Sequence, residues 1–307
     1  MRGTREAVSV APDLLAVEAG LRHVDITGLS IIRRRCGRGF TYLEPRGGRV
    51  DPSRRRWIEA LAIPPAWTDV HIANDPDCHI LATGIDDAGR RQYRYHPDFR
   101  AAADGLKFAR MAELGPRIGD VRASINDAIA SSDERVRLTA LVTRLIDLTL
   151  LRVGTERYAD EHDTYGASTL LVEHCTIDAD TLTLCFTAKS GKEQCVAVAD
   201  DDLLGHIADR RKLASSSHPV FATSDGWSVD GHDVKQFLSE AARFDVSAKD
   251  LRTWGASATM IEALCDPNAD VESSSDDPLI AAYDHVAARL GNTRTVARAS
   301  YVAPAIE

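Results

Sequence analysis

Five residues spread through the second half of the chain could together cut a phosphodiester: Arg152, Lys189, Arg252, Asn292 and Tyr301. A phosphodiester is anionic, and its transition state spreads further charge over the non-bridging oxygens. Guanidinium groups suit it because they stay charged and bind two oxygens at once. A tyrosine hydroxyl can take the phosphoryl group covalently, which conserves the bond energy and allows resealing. The leaving 5′-oxygen needs a proton, and a lysine in a hairpin turn can deliver one. Each residue also has an ordinary reading. Arg152 ends an apolar helix, where arginine caps carbonyls. Lys189 next to Ser190-Gly191 could be a solvated turn residue. Arg252 could form a helix-surface ion pair, Asn292 a helix cap and Tyr301 a terminal packing contact.

Positioning such a set sets demands on the elements around it. The first hundred residues are rich in turns and short strand-like runs: residues 30–34 and 41–43 flank Cys36-Gly37-Arg38-Gly39, and residues 79–83 and 91–95 flank Asp86-Asp87-Ala88-Gly89. Ser53 is placed to cap a helix ending near Leu61, with Pro64-Pro65 stopping it. After Pro97 the pattern becomes helical. Leu138, Leu141, Val142, Leu145 and Leu148 form one apolar stripe over residues 133–151. Residues 169–198 are rich in β-branched side chains around a Lys189-Ser190-Gly191-Lys192 turn, and helices follow over 200–213, 232–241 and 248–264. Residues 265–277 are acidic, small and expected to be mobile. Asp277-Pro278 opens a last long helix, which Gly291 ends. Asn292 and Tyr301 are nine positions apart, roughly 13 Å on an unbroken helix. The chain must therefore bend between them, before Thr293, if both are to reach one phosphate. The expected class is α+β: an N-terminal antiparallel-sheet domain with helices over 1–97, and a larger, mainly helical domain containing a short sheet over 98–307.

Composition narrows the function classes. The 307 residues are 44% hydrophobic and 27% charged, which excludes wholesale disorder. With 37 basic against 46 acidic side chains the net charge is −9, so a uniformly basic coat is excluded but a local basic face is not. Residues 1–120 hold 19 basic and 16 acidic groups, and nine arginines crowd Arg33–Arg56 against Glu44 and Asp51, most simply as a solvated face. Six cysteines form no CxxC pair, and Cys185 and Cys195 flank Ser190-Gly191 almost symmetrically, as small residues on two hairpin strands. No apolar run is long enough to span a membrane, and Met1–Val8 lacks a signal-peptide core. A soluble cytoplasmic chain with reduced thiols is expected. No phosphate-binding GxxxxGK[ST] loop and no two-metal carboxylate cluster occurs, so neither nucleotide nor metal is expected as a cofactor.

The residues that carry chemistry lie within segments that, in order, resemble the type IB DNA topoisomerases of the poxvirus-like and bacterial branch. These are Ile63-Pro64-Pro65-Ala66-Trp67-Thr68-Asp69-Val70, Ala82-Thr83-Gly84-Ile85-Asp86 and Gly89-Arg90-Arg91-Gln92-Tyr93-Arg94-Tyr95-His96. They continue with Leu151-Arg152-Val153-Gly154, Tyr165-Gly166, Lys189-Ser190-Gly191-Lys192, Lys249-Asp250-Leu251-Arg252-Thr253-Trp254, Gly291-Asn292-Thr293 and Ser300-Tyr301. The resemblance implies an isomerase that relaxes positive and negative supercoils without ATP or metal. Tyr301 would form a 3′-phosphotyrosyl intermediate, Arg152 and Arg252 would neutralise the phosphoryl oxygens, and Lys189 would protonate the 5′-oxygen. Asn292 stands where many members carry histidine and would donate to a non-bridging oxygen. Arg90, Arg91, Gln92, Tyr93, Arg94 and Tyr95 match the family's DNA-contacting strand, on which Arg91, Tyr93 and Tyr95 would share one face. The N-terminal domain would be half of a clamp on double-stranded DNA, the protein a nucleoid-associated monomer, and DNA binding steeply salt-dependent. Trp67 is assigned to the core, and Trp254 to buttressing Arg252.

Departures are few. Ala188 stands for a common glycine before the lysine, Gln194 for a frequent histidine, and Thr155 and His162 for frequent asparagines. A tyrosine recombinase shares the Arg–Lys–Arg–Tyr logic, but its histidine three residues before the second arginine is Lys249 here, and the Ile-Pro-Pro-Ala-Trp segment is foreign to it. A DNA-binding protein that kept the clamp and lost efficient chemistry is the other alternative.

Overall fold

The computed structural model describes residues 11–266 and 275–306, so most of the acidic segment expected to be mobile lies outside the described residues. The chain divides into two compact units, Ser9–Leu106 and Lys107–Glu307. Among the described residues, no helix is long and apolar enough to cross a membrane.

The N-terminal unit contains α1 (Pro12–Glu18), β1 (Ile31–Cys36), β2 (Gly39–Leu43), α2 (Pro52–Ala60), β3 (Thr68–Ile72), β4 (Ile80–Ile85) and β5 (Arg91–Tyr95). The strands form one antiparallel sheet in the order β2-β1-β3-β4-β5. The hairpin expected over residues 79–95 is present as β4–β5, the two runs either side of residues 36–39 also pair as a hairpin, β1–β2, and β3, which the turn-rich pattern left unread, joins them. Ile31, Tyr42, Ile58, Val70, Ile72 and Ala82 make the core, with Trp67 packed against it. The cap of α2 is one turn signal earlier than expected: the Asp51 carboxylate, not Ser53, accepts from the backbone N–H groups of Ser53 and Arg54. Pro52 then occupies the first helical turn, where its missing N–H costs nothing.

The arginine run is not all solvated face. Strand alternation turns Arg33 inward, leaving it 9% exposed. Its guanidinium lies over the Phe40 ring at 4.2 Å and donates to the carbonyls of Ile63 (3.3 Å), Pro64 (3.1 Å) and Trp67 (2.5 Å). The Ile63–Trp67 stretch has two prolines that cannot join a ladder, and Arg33 supplies the donors its carbonyls lack.

The helix α3 (Pro97–Leu114) carries the division between units, at Leu106/Lys107. Beyond it come α4 (Ile118–Ile129), α5 (Glu134–Thr149), α6 (Glu156–His162), β6 (Cys175–Asp178), β7 (Thr181–Ala188), β8 (Lys192–Val198), α7 (Asp201–Leu213), α8 (Gly231–Ala242), α9 (Ala248–Cys265), α10 (Pro278–Leu290) and α11 (Arg294–Ser300). Strands β6, β7 and β8 form an antiparallel three-stranded sheet. The architecture is α+β, as the pattern of elements predicts. Helix α5 is central, packed against α4, α8 and α9 and buried on most of its circumference. Its buried threonines are satisfied within the helix: the hydroxyls of Thr139, Thr143 and Thr149 each donate to the carbonyl four residues back.

The cysteines depart from the expectation of reduced thiols. Cys185 and Cys195 stand directly opposite each other on β7 and β8, with Cα atoms 4.2 Å apart, and are joined as a disulfide. A narrow antiparallel pair brings two side chains into bonding reach, which spacing around a turn alone does not reveal. Cys36 and Cys265 are exposed thiols; Cys175 is buried, and burial pushes its thiol up to about 12.

Replacing Arg33 with Met (Arg33→Met) keeps the aliphatic stem but removes the donor from the Ile63 and Trp67 carbonyls, while Pro64 O keeps Trp67 N–H at 3.2 Å, and is expected to lower stability by about 2–4 kcal/mol. Chemical denaturation of wild type and variant checks this, and an unchanged midpoint would contradict the role assigned to Arg33.

Candidate active site

Arg152, Lys189, Arg252, Asn292 and Tyr301 all belong to the second unit, and four of them converge. Arg252, on the second turn of α9, is 4% exposed. Its Nε donates to the carbonyl of Leu150 at 2.6 Å, Nη1 to the hydroxyl of Tyr301 at 3.1 Å and Nη2 to the carbonyl of Leu290 at 3.3 Å. This excludes a surface ion pair. Leu150 and Leu290 end α5 and α10, so the guanidinium meets carbonyls that a helix C-terminus leaves open.

Arg152 follows the left-handed Leu150 that caps α5, and is half-buried. Its loop is held by backbone: Ala167 N–H donates to Arg152 O (2.8 Å) and Ser168 N–H to Val153 O (2.7 Å). Gly154 and Gly166 make this approach possible. A Cβ on Gly166 would sit 2.5 Å from Gly154 N and 2.6 Å from Arg152 O, closer than packed atoms allow. The matched segments around Arg152 and Tyr165-Gly166 are thus two sides of one backbone contact. Tyr165 N–H in turn donates to Thr187 O on β7, tying the loop to the hairpin.

The chain does break before Thr293, with Asn292 inside the break: Gly291, with φ of +64°, ends α10, and the Thr293 hydroxyl accepts from Val296 N–H to start α11. The Asn292 Oδ1 accepts from Arg152 Nη2 at 2.6 Å. That bond fixes the amide's orientation and leaves Nδ2, buried and without a hydrogen-bond partner, as a free donor. Tyr301 closes α11 and is 9% exposed, with the Arg252 guanidinium 5.1 Å from its ring centre.

The fifth residue stands apart. Lys189 lies beyond the last pair of the β7–β8 ladder, Ala188 with Lys192, and is exposed. Ser190 and Gly191 make the turn with φ of +69° and +68°, while Ala188 has no left-handed backbone that would demand the glycine common there. Among the described residues neither Arg152, Arg252 nor Lys189 has a carboxylate partner. The pocket therefore carries unbalanced positive charge.

That charge acts on the phenol. Burial on its own raises Tyr301, but Arg252, Arg152, the Arg252 hydrogen bond and Lys249 outweigh it and hold the hydroxyl below the ordinary tyrosine value. Desolvation lowers Arg252, with Arg152 adding to that and Tyr301 opposing it.

Three contributors have no clear sequence signal. Ser257 Oγ donates to Tyr301 O and accepts from Ala303 N–H, both at 3.2 Å, anchoring the chain end on α9. Arg289 donates to Thr259 Oγ1 and to Leu148 O, both at 2.7 Å, gripping the same end of α5 as Arg252. Gly255 leaves room for Leu150, whose Cδ2 would be 2.5 Å from a Cβ there. Trp254 does not buttress Arg252: its ring lies under Arg122, at 5.3 Å, and Arg122 is paired with Asp147 at 2.8 Å. A tryptophan two positions along a helix from an arginine points to a different side.

In the N-terminal unit, Tyr93 and Tyr95 stack at 5.8 Å on one face of β5, Tyr93 exposed and Tyr95 packed on Phe99 at 5.5 Å. Gln92 donates to Asp86 (2.8 Å) and Arg94 to Leu61 O (2.8 Å). Arg90 pairs with Asp86 and Arg91 with Asp69 at 3.4 Å, both in exposed positions.

Two outcomes follow from this geometry. Gly166→Ala forces the Arg152 loop away from its backbone partner, so it is expected to cut the cleavage rate at least about tenfold while the protein stays folded, as checked by single-turnover kinetics and circular dichroism. Because the Tyr301 phenolate is favoured in the folded state, it forms at lower pH than an ordinary tyrosine near 10. An ultraviolet titration of wild type minus Tyr301→Phe should show tyrosinate appearing below that value; a difference curve centred above it would contradict the electrostatic reading.

Residues 96–304 match the family described as eukaryotic DNA topoisomerase I, catalytic core, and residues 39–86 match the bacterial DNA topoisomerase IB N-terminal domain. The chain is 30% identical to the DNA topoisomerase 1B of Acanthamoeba polyphaga mimivirus over 256 residues, covering 80% of this chain and 76% of that one. It is 25% identical to the vaccinia virus DNA topoisomerase 1B over 81% of this chain and 79% of the relative. A fungal relative, the DNA topoisomerase 1 of Mycosarcoma maydis, is 29% identical over 55% of this chain but only 19% of its own length. A solved XerH site-specific recombinase bound to difH is distantly similar, with 17% identity and a TM-score of 0.42 over 60% of this chain and 47% of that one. The chain belongs to the type IB DNA topoisomerases, in their poxvirus-like and bacterial branch.

Proposed function

We propose that Tyr301 is the nucleophile of this topoisomerase and that Arg152, Arg252, Lys189 and Asn292 complete its catalytic set. The Tyr301 hydroxyl, made more acidic by the neighbouring arginines, gives its proton to water as its oxygen bonds to the scissile phosphorus, the bond to the 5′-oxygen breaks, and the Lys189 ammonium gives that oxygen its proton. The product is a 3′-phosphotyrosyl linkage and a free 5′-hydroxyl. Religation runs the same path backwards, so supercoiling drives the intervening swivel and no ATP is consumed. Arg252 and Arg152 hold the non-bridging oxygens, and Asn292 Nδ2 donates a further hydrogen bond.

The observation that carries this reading is a buried guanidinium bonded to the tyrosine hydroxyl with no carboxylate to balance it. A buried cation without a counter-ion is costly unless the ligand supplies the charge. A phosphodiester does so, at the atom next to the nucleophile. Lys189 on an exposed turn fits a proton donor that approaches once DNA is present.

In this reading the N-terminal unit contributes a second DNA surface, with Tyr93 and the exposed arginines of β5 on phosphates or groove edges. Because Arg90, Arg91, Gln92 and Arg94 have partners within the unit, DNA binding there exchanges weak exposed ion pairs for phosphate contacts. The protein acts on double-stranded DNA as a monomer, since one chain holds every catalytic group.

The test is relaxation of negatively and positively supercoiled plasmid in EDTA without ATP. Wild type should relax both and leave protein on the 3′ end, and Tyr301→Phe should do neither. Arg152→Ala and Arg252→Ala should each slow cleavage by about one to two orders of magnitude or more, the loss of a charged hydrogen bond. A folded, DNA-binding wild type that forms no 3′ adduct would overturn the assignment of Tyr301.

A further inference from the structure

One polar side chain at the edge of the site has no role in the set above. Gln194 lies on β8 directly opposite Phe186, which is 3% exposed, and so points to the inward face of the hairpin. Its Nε2 is buried and has no hydrogen-bond partner among the described residues. Only one other buried side-chain donor or acceptor among them is in that condition, Nδ2 of Asn292. The two belong together in space as well. The Gln194 amide lies flat against Gly291, the residue before Asn292: a Cβ there would be 2.7 Å from Oε1 and 2.9 Å from Cδ and Nε2. The hairpin that carries Lys189 thus meets the turn that carries Asn292 through one glutamine.

Buried N–H groups without partners are rare in folded proteins and commonly mark a place where a ligand completes the bond. The two acceptors that flank Gly291 in sequence bond elsewhere: Leu290 O accepts from Arg252 and Asn292 Oδ1 from Arg152. The ligand chemistry of this site is an anionic phosphate oxygen. The ladder runs unbroken from Gln194–Phe186 to Lys192–Ala188, so fixing Gln194 fixes the base of the turn holding Lys189.

We propose that Gln194 is a positioning residue for the proton donor: its amide N–H binds a phosphate oxygen of the DNA strand at the site, and that bond locks the β7–β8 hairpin so that Lys189 reaches the leaving 5′-oxygen. It rests on Lys189 being the general acid. In the step concerned, the Tyr301 hydroxyl loses its proton to water as its Oη–P bond forms, the P–O5′ bond breaks and the Lys189 proton passes to O5′. Replacing O5′ by sulfur removes the need for that proton, because a thiolate leaves unprotonated. A residue that acts only through Lys189 is then dispensable.

The experiment is single-turnover cleavage of a duplex oligonucleotide with either 5′-oxygen or 5′-sulfur at the scissile bond, for wild type, Gln194→Met, Gln194→His and Lys189→Ala. Gln194→Met should be slower by about tenfold or more on oxygen, the worth of a hydrogen bond to a charged group, and within about threefold of wild type on sulfur. Lys189→Ala should be slower still on oxygen and likewise rescued by sulfur. Gln194→His, which can keep an N–H at that position, should restore most of the rate lost in Gln194→Met. If sulfur rescues Lys189→Ala but not Gln194→Met, the role of Gln194 falls and that of Lys189 stands. If sulfur fails to rescue Lys189→Ala, the lysine assignment falls and the proposal with it. A Gln194→Met variant as fast as wild type on oxygen, or a Gln194→His variant as slow as Gln194→Met, also overturns it. Should Gln194→Met fail to fold, Gln194→Leu also removes the N–H without adding charge and must show the same oxygen-specific loss.

Discussion

A guanidinium buried to 4% exposure among the ends of three helices is the constraint around which the catalytic unit is arranged. Arg252 cannot shed its proton at physiological pH, and it cannot reach water. Its charge is spread over the carbonyls of Leu150 and Leu290, which carry the negative ends of the α5 and α10 dipoles, and over one phenol. Dipoles offset part of a full charge, not all of it. What remains depresses the Tyr301 phenol despite its burial and makes the pocket attractive to an anion. Stability and reactivity therefore draw on the same unbalanced cation. Arg289, which grips Leu148 O two residues before Leu150, reinforces the helix end that Arg252 needs.

The other groups are placed by backbone rather than by side-chain packing. Arg152 lies in a loop whose carbonyl is held by Ala167 N–H across the Gly154–Gly166 contact, and Asn292 follows a left-handed glycine. Rigid backbone contacts suit groups that must meet a phosphate within a few tenths of an ångström. Lys189 is the opposite case. An exposed three-residue turn holds it, with only the ladder behind it to limit its reach. A proton donor of the kind proposed for Lys189 is needed only when the substrate is present, so an exposed turn is tolerable there. The cross-strand Cys185–Cys195 bond and the Gln194–Gly291 contact both fall within that ladder, where they bear on how the turn approaches.

In the N-terminal unit the arginine-rich segment is split between two jobs by strand alternation. Arg33 faces in and satisfies a proline-interrupted loop, Arg34 faces out, and Arg35, on the same side as Arg33, is nevertheless exposed. A charge run read as one surface is therefore partly structural. The same alternation puts Tyr93 and Tyr95 on one face of β5 and gives them different surroundings, one open and one against Phe99. Side-chain parity is a property of the strand; burial depends on what the rest of the fold lays over it.

Local rules account for what could be read without a structure. Helix periodicity located α5, caps and prolines located the start of α10, Gly291 required a break before Tyr301, and a turn signal located the hairpin under Lys189. Residue chemistry, with several matching segments in order, named the reaction. These signals act within a few residues, where geometry is set by backbone sterics and hydrogen bonding to near neighbours. Tertiary structure decided the rest. It sent Trp254 to Arg122 rather than Arg252, turned Arg33 inward and joined Cys185 to Cys195. It also recruited Ser257 and Arg289, and left two amide N–H groups among the described residues unpaired beside Gly291. Those outcomes depend on which carbonyls and faces meet across separations of ten to more than a hundred residues. No window of sequence contains both partners, so only the packed fold can choose them.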